Sequence, residues 1–146
     1  MEILHLRNQP FDGVKELFEY ITGEYGAKIA ITTGYPPEFR EICEKGLGRL
    51  VEHVSVSISP KKGKGRPAPY MIFEAMERTD TKSVIDVLNI GDTISDVLSG
   101  QNAGVDTVAL YETGAHRLVD FVNMHPLPIY IIPGISYLRE RILEKK

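Results

Sequence analysis

The sequence predicts a doubly wound α/β fold: a parallel sheet with helices on both faces, in a three-layer, Rossmann-like arrangement. Short apolar runs alternate with segments of helical periodicity 8 to 12 residues long, the order expected of strand–helix–strand units. Several of these runs are continuously apolar, which is typical of strands buried on both faces. The 146 residues fit one domain.

The predicted elements follow from these patterns. Strands are expected at residues 27–33, 53–58, 84–90, 105–110 and 129–132. Helices are expected at residues 11–22, 36–45, 70–78, 95–102, 116–123 and 136–146. In the helix at 70–78, the residues placed on the inner face are Ile72, Phe73 and Met76. In such sheets a ligand binds beyond the carboxyl ends of the strands.

Composition excludes several classes of function. The net charge of -3 and the pI of about 5.8 give no electrostatic reason to expect binding to nucleic acid or to an anionic membrane. No apolar run approaches the roughly 20 residues that cross a bilayer, and the start lacks the pattern of a signal peptide. The single cysteine, Cys43, excludes an internal disulfide, and we expect it to be a buried helix residue. These features predict a cytoplasmic protein.

The first candidate site is the run 31–35, Ile-Thr-Thr-Gly-Tyr, at the end of a predicted strand. A hydroxyl at the carboxyl end of a strand, followed by a glycine turn and a helix, can donate to a phosphate oxygen. A threonine at this position is equally suited to cap the following helix. This run alone does not decide between the two roles.

A second candidate is the basic loop 61–66, Lys-Lys-Gly-Lys-Gly-Arg, which directly precedes a predicted helix. Lys61, Lys62 and Lys64 fit a solvated loop. Arg66 differs, because the sequence Gly-Arg-Pro-Ala-Pro restricts the backbone on both sides of it. A fixed cation at this position is suited to neutralise a phosphoryl group.

The third candidate is the pair Asp92 and Asp96, which follows an apolar strand in the run Gly-Asp-Thr-Ile-Ser-Asp. Two carboxylates at a strand tip, with backbone carbonyls and water, form a hard oxygen site suited to Mg²⁺. The alternative is structural: Asp92 or Ser95 caps the following helix, and Asp96 complements its dipole.

Together these motifs resemble the haloacid dehalogenase superfamily. Thr-Thr-Gly-Tyr, Gly-Arg-Pro-Ala-Pro, and Gly-Asp-Thr-Ile-Ser-Asp with the following Gly-Gln-Asn-Ala-Gly are similar to its motifs two, three and four. Arg66 stands where most members of the superfamily have a lysine. In this feature and in the Gly-Arg-Pro-Ala-Pro run, the sequence resembles the phosphonoacetaldehyde hydrolases in particular. The resemblance implies that Thr33 bonds the phosphoryl group and that Arg66 offsets its charge. It also implies roles for the remaining residues: Asp92 as the Mg²⁺ ligand, Asp96 as ligand or support, and Thr32, Gly34 and Tyr35 as pocket lining.

The first motif of that superfamily, an Asp-x-Asp pair that supplies the nucleophile, has no counterpart before Thr33. The lysine-bearing cap domain is also missing, and residues 1–10 contain no lysine. We therefore expect residues 1–146 to be one core domain, incomplete at its N-terminal side. Residues 1–9 fit two alternatives: the end of the last helix of the cap domain, or a replacement central strand carrying His5 and Arg7.

The resulting prediction is a Mg²⁺-dependent hydrolase core of phosphonoacetaldehyde hydrolase type, inactive alone because its nucleophile is missing. Its expected ligand is a small phosphorylated or phosphonate molecule. The alternatives are a non-catalytic domain that binds an anion and Mg²⁺, and one part of a split enzyme. The last implies a complementing chain or self-association.

Overall fold

The computed structural model describes residues 13–34, 45 and 48–140. Tyr35, Cys43 and the alternatives for residues 1–9 lie outside this part. The helices are α1 (Val14–Glu24), α2 (Tyr70–Arg78), α3 (Ile94–Ala103), α4 (Leu118–Val122) and α5 (Ser136–Leu138), with 3₁₀ turns at Gly48–His53 and Val84–Asp86. The strands are β1 (Ile29–Thr32), β2 (Val54–Ile58), β3 (Leu88–Gly91), β4 (Asp106–Leu110) and β5 (Tyr130–Ile132).

All described strand pairs are parallel, as predicted. β1 pairs with β2, aligning Thr32 with Ile58, and the Thr33 N–H extends this ladder to the Ile58 carbonyl at 3.0 Å. A second sheet has the order β3-β4-β5, with Gly91 opposite Ala109. Because the strands within each sheet are parallel, their carboxyl ends lie at a common edge.

Helices cover both faces of the three-stranded sheet. On one face, Leu17 of α1 packs with Val108 and Leu138. On the other, Val97 of α3 packs with Ala109 and Phe121. Val108 and Ala109 are adjacent in β4 and point to opposite faces, yet both are completely buried. The three-layer arrangement is therefore confirmed.

β1 and β3 are less well covered than β4. Every residue of β4 after Asp106 is buried, whereas β1 contains no buried residue and Leu88 of β3 is 38% exposed. Among the described residues, one edge of β1 and one edge of β3 have no strand paired to them. Strands of parallel sheets are normally buried on both faces, so this part of the sheet is incompletely enclosed within the described residues.

Two glycines let α3 approach the sheet. A Cβ on Gly100 would lie 2.1 Å from the Thr107 hydroxyl oxygen, and one on Gly91 would lie 2.2 Å from the Asp96 Cβ. Asn89 also ties β3 to the helix by donating its amide to the Asp96 carbonyl at 3.1 Å. The close approach brings Asp96 to the tip of β3.

Two details differ from the prediction. Phe73 was expected on the inner face of its helix but is 43% exposed, and Met71, at 3%, is buried instead; Ile72, at 7%, is buried as predicted. The strand expected at 84–90 begins as the 3₁₀ turn Val84–Asp86, whose Ile85 N–H donates to the Ser83 hydroxyl. In the described part of the chain, no helix is long and apolar enough to span a bilayer.

Candidate active site

Arg66 links the two sheets at their carboxyl edge. Its Nη2 donates to the Thr32 carbonyl at 2.9 Å and to the Thr32 hydroxyl at 2.7 Å. Its Nε lies 2.9 Å from Asp96 Oδ1. The side chain of Arg66 is 22% exposed and that of Asp96 only 9%. The structure thus brings together Thr32, Arg66 and Asp96, which are far apart in the sequence.

The backbone beside Arg66 is held by α3. Asn102 donates its side-chain amide to the Pro67 carbonyl at 2.9 Å, and Ser99 donates its hydroxyl to the Ala68 carbonyl at 2.8 Å. The Arg66–Pro67 peptide bond is cis. Sequence analysis placed Ser99 and Asn102 in the helix expected at 95–102 but assigned neither of them a role at the site.

Asp96 caps α3 with one of its carboxylate oxygens. Oδ2 accepts the N–H groups of Asp92 and Thr93 at 3.1 and 3.0 Å, and the Thr93 hydroxyl accepts the Asp96 N–H at 3.1 Å. Thr93 is therefore the capping residue, and the alternative that Asp92 or Ser95 caps the helix is wrong.

The second oxygen of Asp96 faces Arg66. Oδ1 is buried and accepts no aligned hydrogen bond from the described residues. The nearby Arg66 Nε forms an ion pair with it, but the N–H is not directed at this oxygen. A buried oxygen in this state is stabilised by any cation or donor that reaches it.

Asp92 directly follows β3, as predicted, and has a perturbed carboxyl group. Burial raises the pKa of Asp92 above its ordinary value of 3.8, and the nearby negative charge of Asp96 raises it further. The hydroxyl of Thr113, just after β4, partly opposes this shift of the Asp92 pKa. The Thr113 hydroxyl oxygen is buried and makes no well-aligned hydrogen bond. Sequence analysis missed Thr113 because its segment carries no recognisable motif.

The residues present fit a hard divalent cation. Burial and the charge of Asp96 destabilise the carboxylate form of Asp92, and Asp96 Oδ1 is buried without an aligned hydrogen bond. A divalent cation would stabilise both carboxylates. Within the described ranges, no cluster of three or more His, Cys, Asp or Glu residues forms a metal site. Backbone carbonyls, water and a ligand oxygen would have to complete the coordination.

The other predicted residues are placed as follows. Arg66 contacts Thr32, which was expected to line the pocket, and the Thr33 backbone continues the β1–β2 ladder. A Cβ on Gly34 would lie 3.6 Å from Arg66 Nη1, so this glycine borders the guanidinium. Lys61 and Lys64 are exposed as expected, the first beside Glu74 and the second over the Tyr70 ring.

A cavity of about 570 Å³ is formed by residues that follow β4, and Thr32, Arg66, Asp92 and Asp96 are not among its lining residues. It is lined by Tyr111, Glu112, Gly114, Ala115, His116, Arg117 and Asp120. Thr113 belongs to the same loop, but it is not among the lining residues and lies instead beside Asp92. We therefore base the candidate site on the charged cluster rather than on this cavity.

Comparisons with known proteins agree with the motif analysis. The family model described as haloacid dehalogenase-like hydrolase matches residues 1–104. Phosphonoacetaldehyde hydrolase from Parabacteroides distasonis is 37% identical over 110 residues, covering 75% of this chain and 41% of the relative. The enzyme of that name from Bacillus mycoides is 32% identical over 140 residues, covering 92% and 52% respectively. The chain thus spans about half the length of these relatives, or less.

Solved structures show the same fold. A phosphonoacetaldehyde hydrolase-like protein from Oleispira antarctica matches with a TM-score of 0.76 at 22% identity, covering 98% of this chain and 59% of the other. A HAD phosphatase from Thermococcus onnurineus matches with a TM-score of 0.73 at 20% identity, covering 95% and 62%.

Proposed function

Because the chain belongs to the haloacid dehalogenase-like hydrolases, we propose that it binds a small phosphorylated or phosphonate molecule at Thr32, Arg66, Asp92 and Asp96. The observation that carries the proposal is the bridge made by Arg66 between Thr32 and Asp96. It fixes a partly buried guanidinium where the strands end. The relatedness to phosphonoacetaldehyde hydrolases favours a phosphonate among possible ligands.

Arg66 would bind the anion. A guanidinium has five N–H donors in a planar arrangement that matches two oxygens of a phosphoryl group. Its partial burial reduces competition from water, and its contacts with Thr32 and Asp96 restrict its rotamers before a ligand arrives. The Thr32 hydroxyl lies next to the guanidinium, and we assign Thr33, Gly34 and Tyr35 to the same pocket from the family motif.

Asp92 would hold Mg²⁺ through its carboxylate, with Asp96 as a further ligand or as support for the site. When bound, the ion supplies positive charge that offsets the negative charge of the phosphoryl oxygens. Asp92 must lose its proton to serve as a ligand, and its raised pKa makes this step depend on pH. Asp96 Oδ2 stays with the backbone N–H groups that it caps.

We infer that this chain alone does not hydrolyse its ligand. The sequence has no Asp-x-Asp pair before Thr33 to supply a nucleophilic carboxylate. We therefore expect binding without hydrolysis of either phosphonoacetaldehyde or a phosphomonoester. Hydrolysis that Asp92→Ala abolishes would contradict this expectation.

Calorimetry with inorganic phosphate, with and without Mg²⁺, tests the proposed binding. We expect Arg66→Gln to weaken phosphate binding about 10-fold or more, because a hydrogen bond to a charged group contributes about 1.5–3 kcal/mol. Arg78→Gln is the matched control, because Arg78 is an exposed arginine at the end of α2. Absence of phosphate binding under both conditions, or equal affinity of the Arg66 and Arg78 variants, would overturn the proposal.

A second candidate function, one part of a split enzyme, is favoured by β1 and β3, each of which has one edge that no described strand pairs with. Arg66 contacts Thr32 at the end of β1 and Asp96 of α3, which lies against Gly91 at the end of β3, so the carboxyl ends of the two strands lie near each other at the site. Unpaired edges bind further strands readily. We would mix the chain with the separately produced N-terminal part of the Parabacteroides distasonis relative. Complex formation with restored phosphonoacetaldehyde hydrolysis supports this candidate, and the absence of any association removes it.

A further inference from the structure

We infer that Ser99 and Asn102 are positioning residues that hold Arg66 in its anion-binding orientation. This inference rests on the proposed role of Arg66 and assigns to α3 a task beyond carrying Asp96. Neither residue touches the guanidinium. Both act on the two peptide carbonyls that follow Arg66 in the chain.

Three residues of one helix face converge on the Arg66 segment. Asp96, Ser99 and Asn102 are spaced three apart, so they follow one another along one side of α3. Asp96 pairs with the Arg66 side chain, Ser99 binds the Ala68 carbonyl, and Asn102 binds the Pro67 carbonyl. A single rigid element therefore fixes both the side chain of Arg66 and the backbone just after it.

The composition of the segment makes these two bonds important. Pro67 and Pro69 have no N–H group, so the backbone there cannot be held by its own donors. The Ala68 N–H turns back to the Gly65 carbonyl at 3.1 Å. Long-range anchoring of the Pro67 and Ala68 carbonyls comes from α3, with Ser99 itself only 3% exposed.

Fixing the segment affects binding because the guanidinium must meet both Thr32 and a ligand. If the backbone shifts by a fraction of an ångström, several side-chain torsions of Arg66 change together. The anion then has to order the arginine at the moment of binding, and that ordering reduces affinity. Loss of the Ser99 or the Asn102 hydrogen bond should therefore lower phosphate affinity through Arg66, although no residue that contacts the anion has been substituted.

The experiment measures phosphate affinity in the presence of Mg²⁺ for Ser99→Ala, Asn102→Ala and the control Gln101→Ala. Gln101 lies on the same helix and donates its amide to a different proline carbonyl, that of Pro126, at 2.8 Å. We expect Ser99→Ala and Asn102→Ala to weaken binding about 3- to 10-fold and the control to stay within about 2-fold. In an Arg66→Gln background, neither substitution should weaken binding further.

NMR spectra of the same samples observe Arg66 directly through its Nε–Hε resonance. We expect this signal to be sharp in the unsubstituted chain and in Gln101→Ala, and shifted or broadened in the other two variants. A purely structural role of Ser99 and Asn102 predicts the opposite for the affinity cycle: equal losses with and without Arg66. That result, or unchanged affinity in both folded variants, would overturn the inference.

Failure of this inference can be told apart from failure of the proposed function. If the unsubstituted chain binds no phosphate, the proposed function is wrong, and the Nε–Hε signal alone then decides whether Ser99 and Asn102 position Arg66. If Ser99→Ala does not fold, Asn102→Ala still tests the inference, because Asn102 is exposed and its loss leaves the core intact. An unchanged signal in that variant counts against positioning.

Discussion

At the scale of the single residue, the two acidic groups of one motif have different tasks. Asp96 satisfies two backbone N–H groups with one oxygen and faces Arg66 with the other. Asp92 accepts no comparable set of donors, and burial disfavours its charged form. Two aspartates four positions apart thus have different surroundings, and those of Asp92 raise its pKa.

The raised pKa of Asp92 predicts a pH dependence of stability. Between pH 3.8 and the raised pKa, the folded state keeps a proton that the unfolded state has lost. The stability contributed by Asp92 is therefore largest at low pH and falls as the pH rises through this window. Asp92→Asn should raise the melting temperature at pH 7 relative to the unsubstituted chain, and the gain should disappear below pH 3.8.

The control for this measurement is Asp106→Asn, at an exposed position at the start of β4. Its melting temperature should follow that of the unsubstituted chain across the pH range. Mg²⁺ should raise the melting temperature of the unsubstituted chain more than that of Asp92→Asn, because the neutral amide oxygen binds the ion more weakly than a carboxylate does. A lower melting temperature of Asp92→Asn at pH 7 without Mg²⁺ would contradict the assignment.

Removing the Asp96 side chain should be more damaging. Asp96→Ala leaves two N–H groups at the start of α3 without their acceptor and Arg66 without its counterion. We expect a loss of about 1–3 kcal/mol in the free energy of unfolding, measured with urea. Asp120→Ala is the comparison, because Asp120 accepts the Arg117 N–H at 2.8 Å at the more exposed start of α4. Its loss should be about 0.5–1 kcal/mol, as for a typical helix cap.

At the scale of the element, α3 is the component on which the site depends. It follows β3, packs against β4 on one side and reaches the Arg66 segment on the other. Gly91 and Gly100 permit this because any larger side chain would meet atoms of the sheet or of Asp96. The glycine positions in the sequence are thus explained by the closeness of the helix to the strands.

The two helical glycines Gly23 and Gly100 provide a matched test of this explanation. A Cβ on Gly23 would meet no atom within 4 Å, whereas one on Gly100 would meet the Thr107 and Asn89 side chains. Gly23→Ala should stabilise the chain by about 0.5–1 kcal/mol through helix propensity. Gly100→Ala should destabilise it by about 1–3 kcal/mol through overpacking. Thermal unfolding measures both, and equal effects would show that α3 does not approach the sheet this closely.

At the scale of the whole molecule, the described strands form two parallel sheets joined at one edge by side chains. Arg66 makes this link at the carboxyl ends, and Lys28 ties the start of β1 to the end of α2 through the Thr79 carbonyl at 2.6 Å. Main-chain hydrogen bonds connect β3, β4 and β5, but none of the described ones joins β1 to β3. Main-chain hydrogen bonds therefore hold the strands within each sheet, and side chains such as that of Arg66 contribute the contacts between the sheets.

This architecture predicts uneven protection of the strands. Amides of β1 and β3 should exchange with deuterium faster than those of β4, because β4 is paired on both edges and contains the fully buried Val108 and Ala109. Hydrogen-exchange mass spectrometry measures this difference. Binding of a complementing chain should slow exchange in β1 and β3 selectively. Equal protection of all three strands in the isolated chain would contradict the prediction.

The sequence by itself determined the secondary structure and the parallel class of the sheets, because apolar periodicity, glycine turns and proline positions act locally. It also placed Thr32 and Asp92 at strand ends, Arg66 in a loop before a helix, and Asp96 in the first turn of a helix. Only the tertiary structure decided that Arg66 contacts Thr32, that Thr113 adjoins Asp92, and that Ser99 and Asn102 anchor the arginine's segment. These contacts join residues some 20 to 35 positions apart, and their geometry depends on how the helix packs against the strands. A local pattern carries no record of that packing.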